Sequence, residues 1–218
     1  MKYTHIIWDW NGTLIDDVDI AVHAMNALFA AYHLPPTDRG EYRSLMEMPV
    51  RSYYEKVFDL AAVSFEETLS PLFNEIYDRE VARAPLAPGA REALTAFRDA
   101  GCRQAVVSAC EQTRLEVLLR ERGIDGYFAL VSGAGDLLAG SKDERAAAAI
   151  RFFGVRPQDV VFLGDTRHDF EAAHAAGADC ILIANGHEAR ELLERCPAPV
   201  ADSLPDAARL ILEGGGTL

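Results

Sequence analysis

Short apolar segments alternate with amphipathic segments along most of the chain, and this alternation constrains the fold more than any other feature. The apolar segments are rich in β-branched residues, which is typical of strands buried on both faces of a sheet. They comprise residues 4–9, 103–108, 127–132, 159–165 and 179–184. The amphipathic segments between them end at glycines, as helices often do, at Gly101, Gly123, Gly154 and Gly177. Strands that alternate with helices predict an α/β fold with a parallel sheet and helices on both of its faces.

The first part of the chain departs from this alternation, because residues 16–86 contain helical patterns and no clear strand pattern. Pro71 lies inside the last of these patterns and should kink that helix or mark a later helix start. We therefore expect a small all-helical insertion after the first strand. The predicted boundaries are residues 16–86 for the insertion and residues 1–15 with 87–218 for the core.

The composition excludes several classes of function. The 218 residues include 21 Lys and Arg against 34 Asp and Glu, a formal net charge of −13. This acidity argues against nucleic acid or an anionic membrane as the main partner. It leaves room for a small anionic substrate, because a metal ion can invert the local charge of a site. The four cysteines lack metal-ligand spacing, and no apolar run approaches the roughly 20 residues of a membrane span, so we expect a soluble cytoplasmic protein.

Polar residues follow several of the predicted strands at their carboxyl ends, which is the edge where open parallel sheets bind ligands. Asp9 ends the first predicted strand, Ser108 the second and Asp165 the fourth, and Asp169 lies four residues further on. Lys142 lies at the start of the helix that precedes the fourth strand. Three carboxylates, a hydroxyl and an ammonium on one edge indicate a site for phosphate and a metal ion.

Each of these residues also has a purely structural interpretation. Asp9 and Asp165 could be turn residues, Ser108 could cap a helix, and Asp169 could be a surface charge. Lys142 is harder to explain in this way, since a cation in the first turn of a helix opposes the helix dipole. Its place in that turn follows from the capping-box spacing of Ser141 and Glu144.

Four motifs in this order resemble the haloacid dehalogenase (HAD) superfamily. They are "DWNGTL" after the first strand, "VVSA" after the second, the lysine that opens a later helix, and "LGDTRHD" after the fourth strand. The resemblance covers the whole chain and is greatest to the phosphoglycolate-phosphatase-like hydrolases. It implies a Rossmann-like catalytic core, and it implies that the helical insertion is a cap domain.

The resemblance also implies a hydrolase and assigns roles to the motif residues. Asp9 would be the nucleophile that forms an aspartyl phosphate during hydrolysis of a small phosphorylated metabolite. The cofactor would be Mg²⁺, which prefers hard oxygen ligands. Its implied ligands are Asp9, Asp165, the backbone carbonyl of Asn11, and Asp169 through water. The implied phosphate-binding residues are Gly12, Ser108, Ala109 and Lys142.

Asn11 departs from the family pattern, because most phosphatases of this superfamily have a second aspartate there as general acid and base. An amide cannot transfer a proton, although its backbone carbonyl can still bind the metal. Loss of a general acid or base typically slows a reaction by about 10²–10⁴-fold. We therefore treat Asp9, Asn11 and Lys142 as the catalytic positions and expect hydrolysis with slow dephosphorylation.

Several alternatives stay open at this point. Another residue could replace the missing acid, the enzyme could be restricted to good leaving groups, or the protein could bind a phosphorylated ligand without turnover. Candidate replacement acids are Asp16, Asp17 and His168. A metal-independent dehalogenase would not need the second aspartate, and a phosphonatase would need a cap lysine, for which Lys56 is the only candidate in the insertion.

Substrate specificity is expected to come from the insertion closing over the site. Candidate residues for facing an anionic substrate are Arg43, Arg51, Tyr53 and Tyr54. Asn185 and His187 follow the fifth predicted strand and could line the same pocket. A solvated helix face and an ordinary loop are the structural alternatives for these two groups.

Overall fold

A six-stranded sheet forms the centre of the protein in a computed structural model that describes residues 2–135 and 142–213. Its strands are β1 (His5–Trp8), β2 (Arg103–Glu111), β3 (Phe128–Ala134), β4 (Val160–Gly164), β5 (Asp179–Ile183) and β6 (Val200–Ala201). Every neighbouring pair is parallel, in the order β3-β2-β1-β4-β5-β6. The predicted α/β fold is confirmed. The sequence analysis missed β6, because a two-residue edge strand has no periodicity to detect.

The chain reverses its direction of winding between β1 and β4. It moves outward from β1 through β2 to β3, and then crosses back to β4 on the other side of β1. Trp8 pairs with Leu163, and the Asp9 amide donates to the Leu163 carbonyl at 2.8 Å. The carboxyl ends of β1 and β4 therefore meet at the topological switch point, where open α/β sheets bind ligands.

The segment between β1 and the rest of the core is helical. It contains α1 (Val18–Ala31), α2 (Arg39–Leu45), α3 (Arg51–Val57), a π-helical turn (Phe65–Leu69) and α4 (Ser70–Val81). These elements share an apolar cluster of their own, which includes Met25, Leu28 and Tyr53. The helix predicted around Pro71 changes character at Ser70. Pro71 lies in the first turn of α4, directly after the π-helical turn.

Helices cover both faces of the sheet. They are α5 (Ala90–Asp99), α6 (Gln112–Glu121), α7 (Lys142–Phe153), α8 (Arg167–Ala175), α9 (Arg190–Leu193) and α10 (Leu204–Glu213). Trp8 on β1 belongs to an apolar cluster with α5, α6 and α10, whereas Ile7 belongs to a second cluster with α7 and α8. This division follows from the alternation of side chains along a strand.

The glycines that predicted helix ends have the backbone conformation expected of such residues. The four glycines predicted to end helices have φ values between +59° and +83°. Lys142 is the first described residue of α7, and Ser141 of the proposed capping box lies outside the described residues. Within the described ranges, no helix combines the length and hydropathy needed to cross a membrane.

Candidate active site

Three carboxylates lie together at the switch point. Asp9 follows β1, Asp165 follows β4, and Asp169 lies in the first turn of α8. Each is buried, and one oxygen of each lies within 4.8 Å of an oxygen of the other two. Residues separated by about 160 positions in the chain thus form a single cluster of hard oxygen atoms, which is the donor set that Mg²⁺ prefers.

Asp169 is both a helix cap and a member of this cluster. Its Oδ2 accepts hydrogen bonds from the backbone N–H of Thr166 at 2.9 Å and from the Thr166 hydroxyl at 2.7 Å. Its Oδ1 accepts a hydrogen bond from Lys142. The structural and functional interpretations of Asp169 are therefore compatible, because each uses a different oxygen.

Asp165 is held by groups on three sides. Its Oδ1 accepts a hydrogen bond from the Thr13 hydroxyl at 3.0 Å, and its Oδ2 accepts one from the His187 N–H at 2.6 Å. A Cβ at Gly12 or Gly186 would lie only 2.2 or 2.1 Å from Oδ2, so glycine is required at both positions. Burial raises the pKa of Asp165 to about 6, although the neighbouring His187 opposes this.

Lys142 is the cation of the cluster. Only 5% of its surface is exposed, and its ammonium donates to both Asp9 and Asp169. Burial lowers the pKa of Lys142, but the two carboxylates outweigh burial and raise that pKa above its usual value. Burial also raises the pKa of Asp169, yet Lys142 more than offsets it, so the net shift is downward.

The pKa of Asp9 shifts in the opposite direction to that of Asp169. Burial raises the pKa of Asp9 well above its usual value, Lys142 opposes the shift, and Asp169 and Asp165 reinforce it. The Lys142 ammonium contacts only Asp9 and Asp169, so the three carboxylates together exceed its charge when all of them are ionised. A divalent cation would complement this charge as well as the oxygen donors.

Asn11 points towards the helical insertion. Its amide nitrogen donates to Asp17 Oδ2 and to the Tyr77 hydroxyl, both at 2.8 Å. Its amide oxygen lies 3.5 Å from the Ser108 hydroxyl. The amide therefore links the loop after β1 to α4 through Tyr77.

Asp17 is fully buried beside Asn11. An acidic residue directly before a helix often stabilises the helix start, and Asp17 does precede α1, but its carboxylate makes no capping hydrogen bond there. It instead accepts from the Gly12 N–H at 2.7 Å, contacts His187 Nε2 at 3.2 Å, and accepts from Tyr77. Burial raises the pKa of Asp17, but these partners, His187 foremost, bring that pKa below its usual value.

The candidate phosphate-binding residues divide into two groups. Ala109 and Lys142 line a cavity together with Asp9. Ser108 and Gly12 are buried and are not among its described lining residues; the Ser108 hydroxyl accepts from the Cys110 N–H at 3.0 Å, and the Gly12 N–H donates to Asp17. The Gly12 N–H is thus committed to a protein carboxylate.

The candidate replacement acids also differ in position. Asp16 is exposed, whereas Asp17 and His168 line the cavity with Asp9. His168 Nδ1 lies 3.7 Å from a carboxylate oxygen of Glu171. Lys56, considered above for phosphonatase chemistry, donates to the Leu45 carbonyl at 3.0 Å and pairs with a glutamate on the surface.

The two arginines considered for substrate binding bind other groups of the protein. Arg43 donates to backbone carbonyls of the loop after β5, including that of Gly186 at 2.7 Å and that of Glu188 at 3.0 Å. Arg51 pairs with glutamates of the insertion. Asn185 donates to the carbonyl of Asp202 at 2.8 Å. In contrast, Tyr53, Tyr54 and His187 do line the cavity.

Tyr77 and Tyr42 were not identified from the sequence. Tyr77 contacts Asn11 across 66 positions of the chain, and the Tyr42 hydroxyl lies 3.0 Å from His187 Nδ1 across 145 positions. Both are aromatic residues in amphipathic helices, where an apolar packing role is the usual interpretation. No local motif could have distinguished them from core residues.

Comparison with known proteins agrees with this arrangement. A family model described as haloacid dehalogenase-like hydrolase matches residues 6–183, which include Asp9, Lys142, Asp165 and Asp169. The chain belongs to this family. The sequence resemblance to HAD hydrolases, and to their phosphoglycolate-phosphatase-like branch, is thereby confirmed.

Relatives of known name cover nearly the whole chain. Phosphoglycolate phosphatase 1 of Pseudomonas aeruginosa is 29% identical over 210 residues, which is 92% of this chain and 77% of the relative. Phosphoglycolate phosphatase of Pseudomonas putida is 28% identical over 208 residues, 91% of this chain and 76% of the relative. A haloacid dehalogenase-like hydrolase from Streptococcus pneumoniae has the same fold, with a TM-score of 0.80 at 19% identity over 96% of this chain and 99% of the other.

Proposed function

We propose that the protein is a Mg²⁺-dependent phosphatase that acts on a small phosphorylated metabolite through Asp9. The observation that carries this proposal is the cluster of Asp9, Asp165 and Asp169 at the topological switch point, with Lys142 paired to Asp9 and Asp169. Family membership and the names of the relatives support the same reaction class. A nucleophilic carboxylate needs its negative charge and that of the phosphate to be offset, and Lys142 together with a bound Mg²⁺ would do so.

The proposed metal ligands are Asp9, Asp165 and the backbone carbonyl of Asn11, with Asp169 acting through water. When bound, Mg²⁺ would neutralise charge on the phosphoryl oxygens and on Asp9. Lys142 already contacts Asp9 and would hold it ionised against the opposing effect of burial. One Asp9 oxygen would then attack phosphorus and form the aspartyl phosphate while the P–O bond to the leaving group breaks.

The helical insertion, residues 16–86, is proposed to act as the cap. Tyr77 reaches Asn11 and Asp17 from α4, and Arg43 reaches the loop after β5 from α2. These contacts join the insertion to both sides of the strand edge that carries the carboxylates. A cap in this position excludes water from the phosphoryl group and shapes the space for the rest of the substrate.

Asn11 is proposed to slow the second half of the reaction. Its amide cannot protonate the leaving oxygen or remove a proton from the attacking water, so hydrolysis of the aspartyl phosphate would lose a contribution of about 10²–10⁴-fold. Substrates with good leaving groups would be least affected in the first half, because they depart without protonation. The aspartyl phosphate would accumulate with such substrates.

Phosphate release from a panel of phosphate esters, with Mg²⁺ and with EDTA, tests the proposal. Release should require Mg²⁺ and should fall more than about 10³-fold in Asp9→Asn. Asp202→Asn is the control, because Asp202 has an 85% exposed side chain and lies outside the cluster. Phosphate release that persists in EDTA would contradict the Mg²⁺ dependence, and halide release from a haloacid without metal would favour the dehalogenase alternative.

Binding without turnover is a second candidate function, and Asn11 is the observation that favours it. A protein of this kind would bind phosphate esters at the same carboxylate cluster. Calorimetric binding of phosphate esters, with no phosphate released from any member of the panel and no phosphate retained on Asp9, would support this candidate.

A further inference from the structure

The cavity next to Asp9 is lined mainly by apolar side chains from the insertion. It has a volume of about 220 Å³, and Asp9 and Lys142 lie at its sheet end. Three of the four methionines in the sequence line it. The principal apolar and aromatic lining residues are Met25, Met46, Met48, Tyr54, Phe65 and Phe73. Such a wall favours an apolar group, since burial of apolar surface stabilises the complex.

The cavity offers little to a second anionic group. Besides Lys142, Arg114 is the other lysine or arginine among its described lining residues, and it pairs with Asp78 and lies 5.6 Å from the Tyr77 ring centre. The lining histidines lie beside Glu171 and Asp17. Every cationic or histidine side chain in the described lining therefore has an acidic neighbour already.

This arrangement contrasts with the substrate that gives the Pseudomonas relatives their name. Phosphoglycolate has a carboxylate close to its phosphate, and that carboxylate needs a cation or a set of hydrogen-bond donors when water is excluded. Glu111 and Asp17 also line the cavity and would repel it. The lining is therefore suited to a substrate whose only strong charge is on the phosphate.

Tyr53 adds a more specific requirement. It lines the cavity and is completely buried, and its hydroxyl has no hydrogen-bond partner in the described part of the chain. A buried hydroxyl without a partner carries a free-energy cost that a ligand can remove by supplying one hydrogen-bonding group. The ligand is thus expected to be apolar with a single polar substituent.

We propose that the site takes the phosphate ester of a ring-bearing, uncharged alcohol or phenol, and that it discriminates against esters with a second anionic group. This inference rests on the proposed phosphatase function and names its substrate class. In the reaction, an Asp9 oxygen forms a bond to phosphorus while the P–O bond to the organic group breaks, and that oxygen leaves with the electron pair. A phenol, with a pKa of about 10, leaves far more readily than an alkyl alcohol, which suits a site that has Asn11 in place of an acid.

Four substrates separate the effect of the cavity from that of the leaving group. Benzyl and ethyl phosphate both release an alkyl alcohol, but only benzyl phosphate has a ring. Phenyl phosphate has a ring and a better leaving group, and phosphoglycolate has a second negative charge.

We expect kcat/KM for benzyl phosphate to exceed that for ethyl phosphate by at least about tenfold. Phenyl phosphate should be faster still, and phosphoglycolate slowest. A kcat/KM for phosphoglycolate equal to or above that for benzyl phosphate would overturn the inference.

Binding by calorimetry separates failure of the substrate class from failure of the reaction. Asp9→Asn with Mg²⁺ should bind benzyl phosphate at least about tenfold more tightly than phosphoglycolate. This preference without any phosphate release by the native enzyme would support the substrate class and refute the proposed phosphatase activity. Turnover without this preference would support the phosphatase activity and refute the proposed substrate class.

Substitutions at Phe73 test the role of the cavity wall. Phe73 is only partly buried on α4, so the helix should tolerate a change there. Phe73→Lys adds a cation to the cavity and should raise kcat/KM for phosphoglycolate relative to benzyl phosphate by at least about tenfold, whereas Phe73→Leu should not. Phe152→Lys is the matched control, because Phe152 is 51% exposed near the far end of α7. An equal change of ratio in Phe152→Lys would show that overall charge, and not the cavity, controls specificity.

Substitution of Tyr53 tests the single polar substituent. Hydroxybenzyl phosphates, with the hydroxyl at each ring position, are compared with benzyl phosphate. At least one isomer should have a KM several-fold lower than that of benzyl phosphate in the native enzyme, and Tyr53→Phe should abolish this advantage. An advantage that survives in Tyr53→Phe would exclude the Tyr53 hydroxyl as the recognition group.

Discussion

The side-chain amide of Asn11 donates a hydrogen bond to the buried carboxylate of Asp17 at 2.8 Å. This contact joins the residue that departs from the family pattern to the first residues of the insertion. A carboxylate at position 11 would have no proton to donate unless it were itself protonated. Asp17 therefore gives a physical reason why an amide at position 11 is compatible with this particular site.

The first prediction concerns the exchange of these two groups. Asn11→Asp alone should lower the free energy of unfolding by about 1–3 kcal/mol at pH 7, because a partly buried carboxylate would then face the buried carboxylate of Asp17. Asn11→Asp combined with Asp17→Asn should recover part of this loss, because an amide again faces a carboxylate, although Asp17→Asn also removes the negative charge beside His187. Urea unfolding in EDTA measures both effects.

The same pair of variants tests the acid–base argument. The double variant should hydrolyse alkyl phosphates faster than the native enzyme, by up to about 10²-fold, since position 11 then carries a carboxyl group. An equal rate in the double variant would show that another group, such as His168, already supplies the proton.

The second prediction concerns the time course with an aryl phosphate. If the aspartyl phosphate on Asp9 is hydrolysed slowly, rapid mixing with a chromogenic aryl phosphate should release close to one equivalent of phenol in a burst, followed by a slower steady rate. Stopped-flow absorbance measures the burst. A trace that is linear from the first turnover would contradict slow dephosphorylation.

The third prediction concerns the buried ammonium of Lys142. Lys142→Met leaves Asp9 and Asp169 without their cation and should lower the free energy of unfolding by about 3–5 kcal/mol in EDTA. Lys2→Met is the matched control, because Lys2 pairs with Asp179 at the surface, where both side chains are about half exposed. This control should lose less than about 1 kcal/mol. Equal losses in the two variants would show that the buried carboxylates do not depend on the Lys142 ammonium.

The fourth prediction concerns stabilisation by Mg²⁺ itself, independently of activity. Saturating Mg²⁺ should raise the melting temperature of the native protein, because an ion that binds only the folded state stabilises it. Asp165→Asn should remove most of this increase, and Asp202→Asn should keep it. Differential scanning calorimetry with and without Mg²⁺ checks the prediction, and an equal increase in Asp165→Asn would place the ion elsewhere.

The order of strands and helices, and the positions of Asp9, Asp165 and Lys142 at their ends, could be predicted from the sequence alone. These features depend on local periodicity and on residues that end helices, which a linear pattern records directly. The parallel sheet then places the strand ends on one edge. The prediction that the acidic residues lie near each other therefore needed only the topology, and the structure brings them within 4.8 Å.

Only the tertiary structure decided how the insertion uses its side chains. Asp17 could have capped α1, and Arg43 could have faced the substrate, but each is committed to partners that no sequence spacing indicates. The apolar cavity also forms only when α1, α3 and α4 pack together. The physical reason is that a side chain's role depends on which distant groups surround it, because burial, charge and hydrogen bonding are set by three-dimensional neighbours and not by position in the chain.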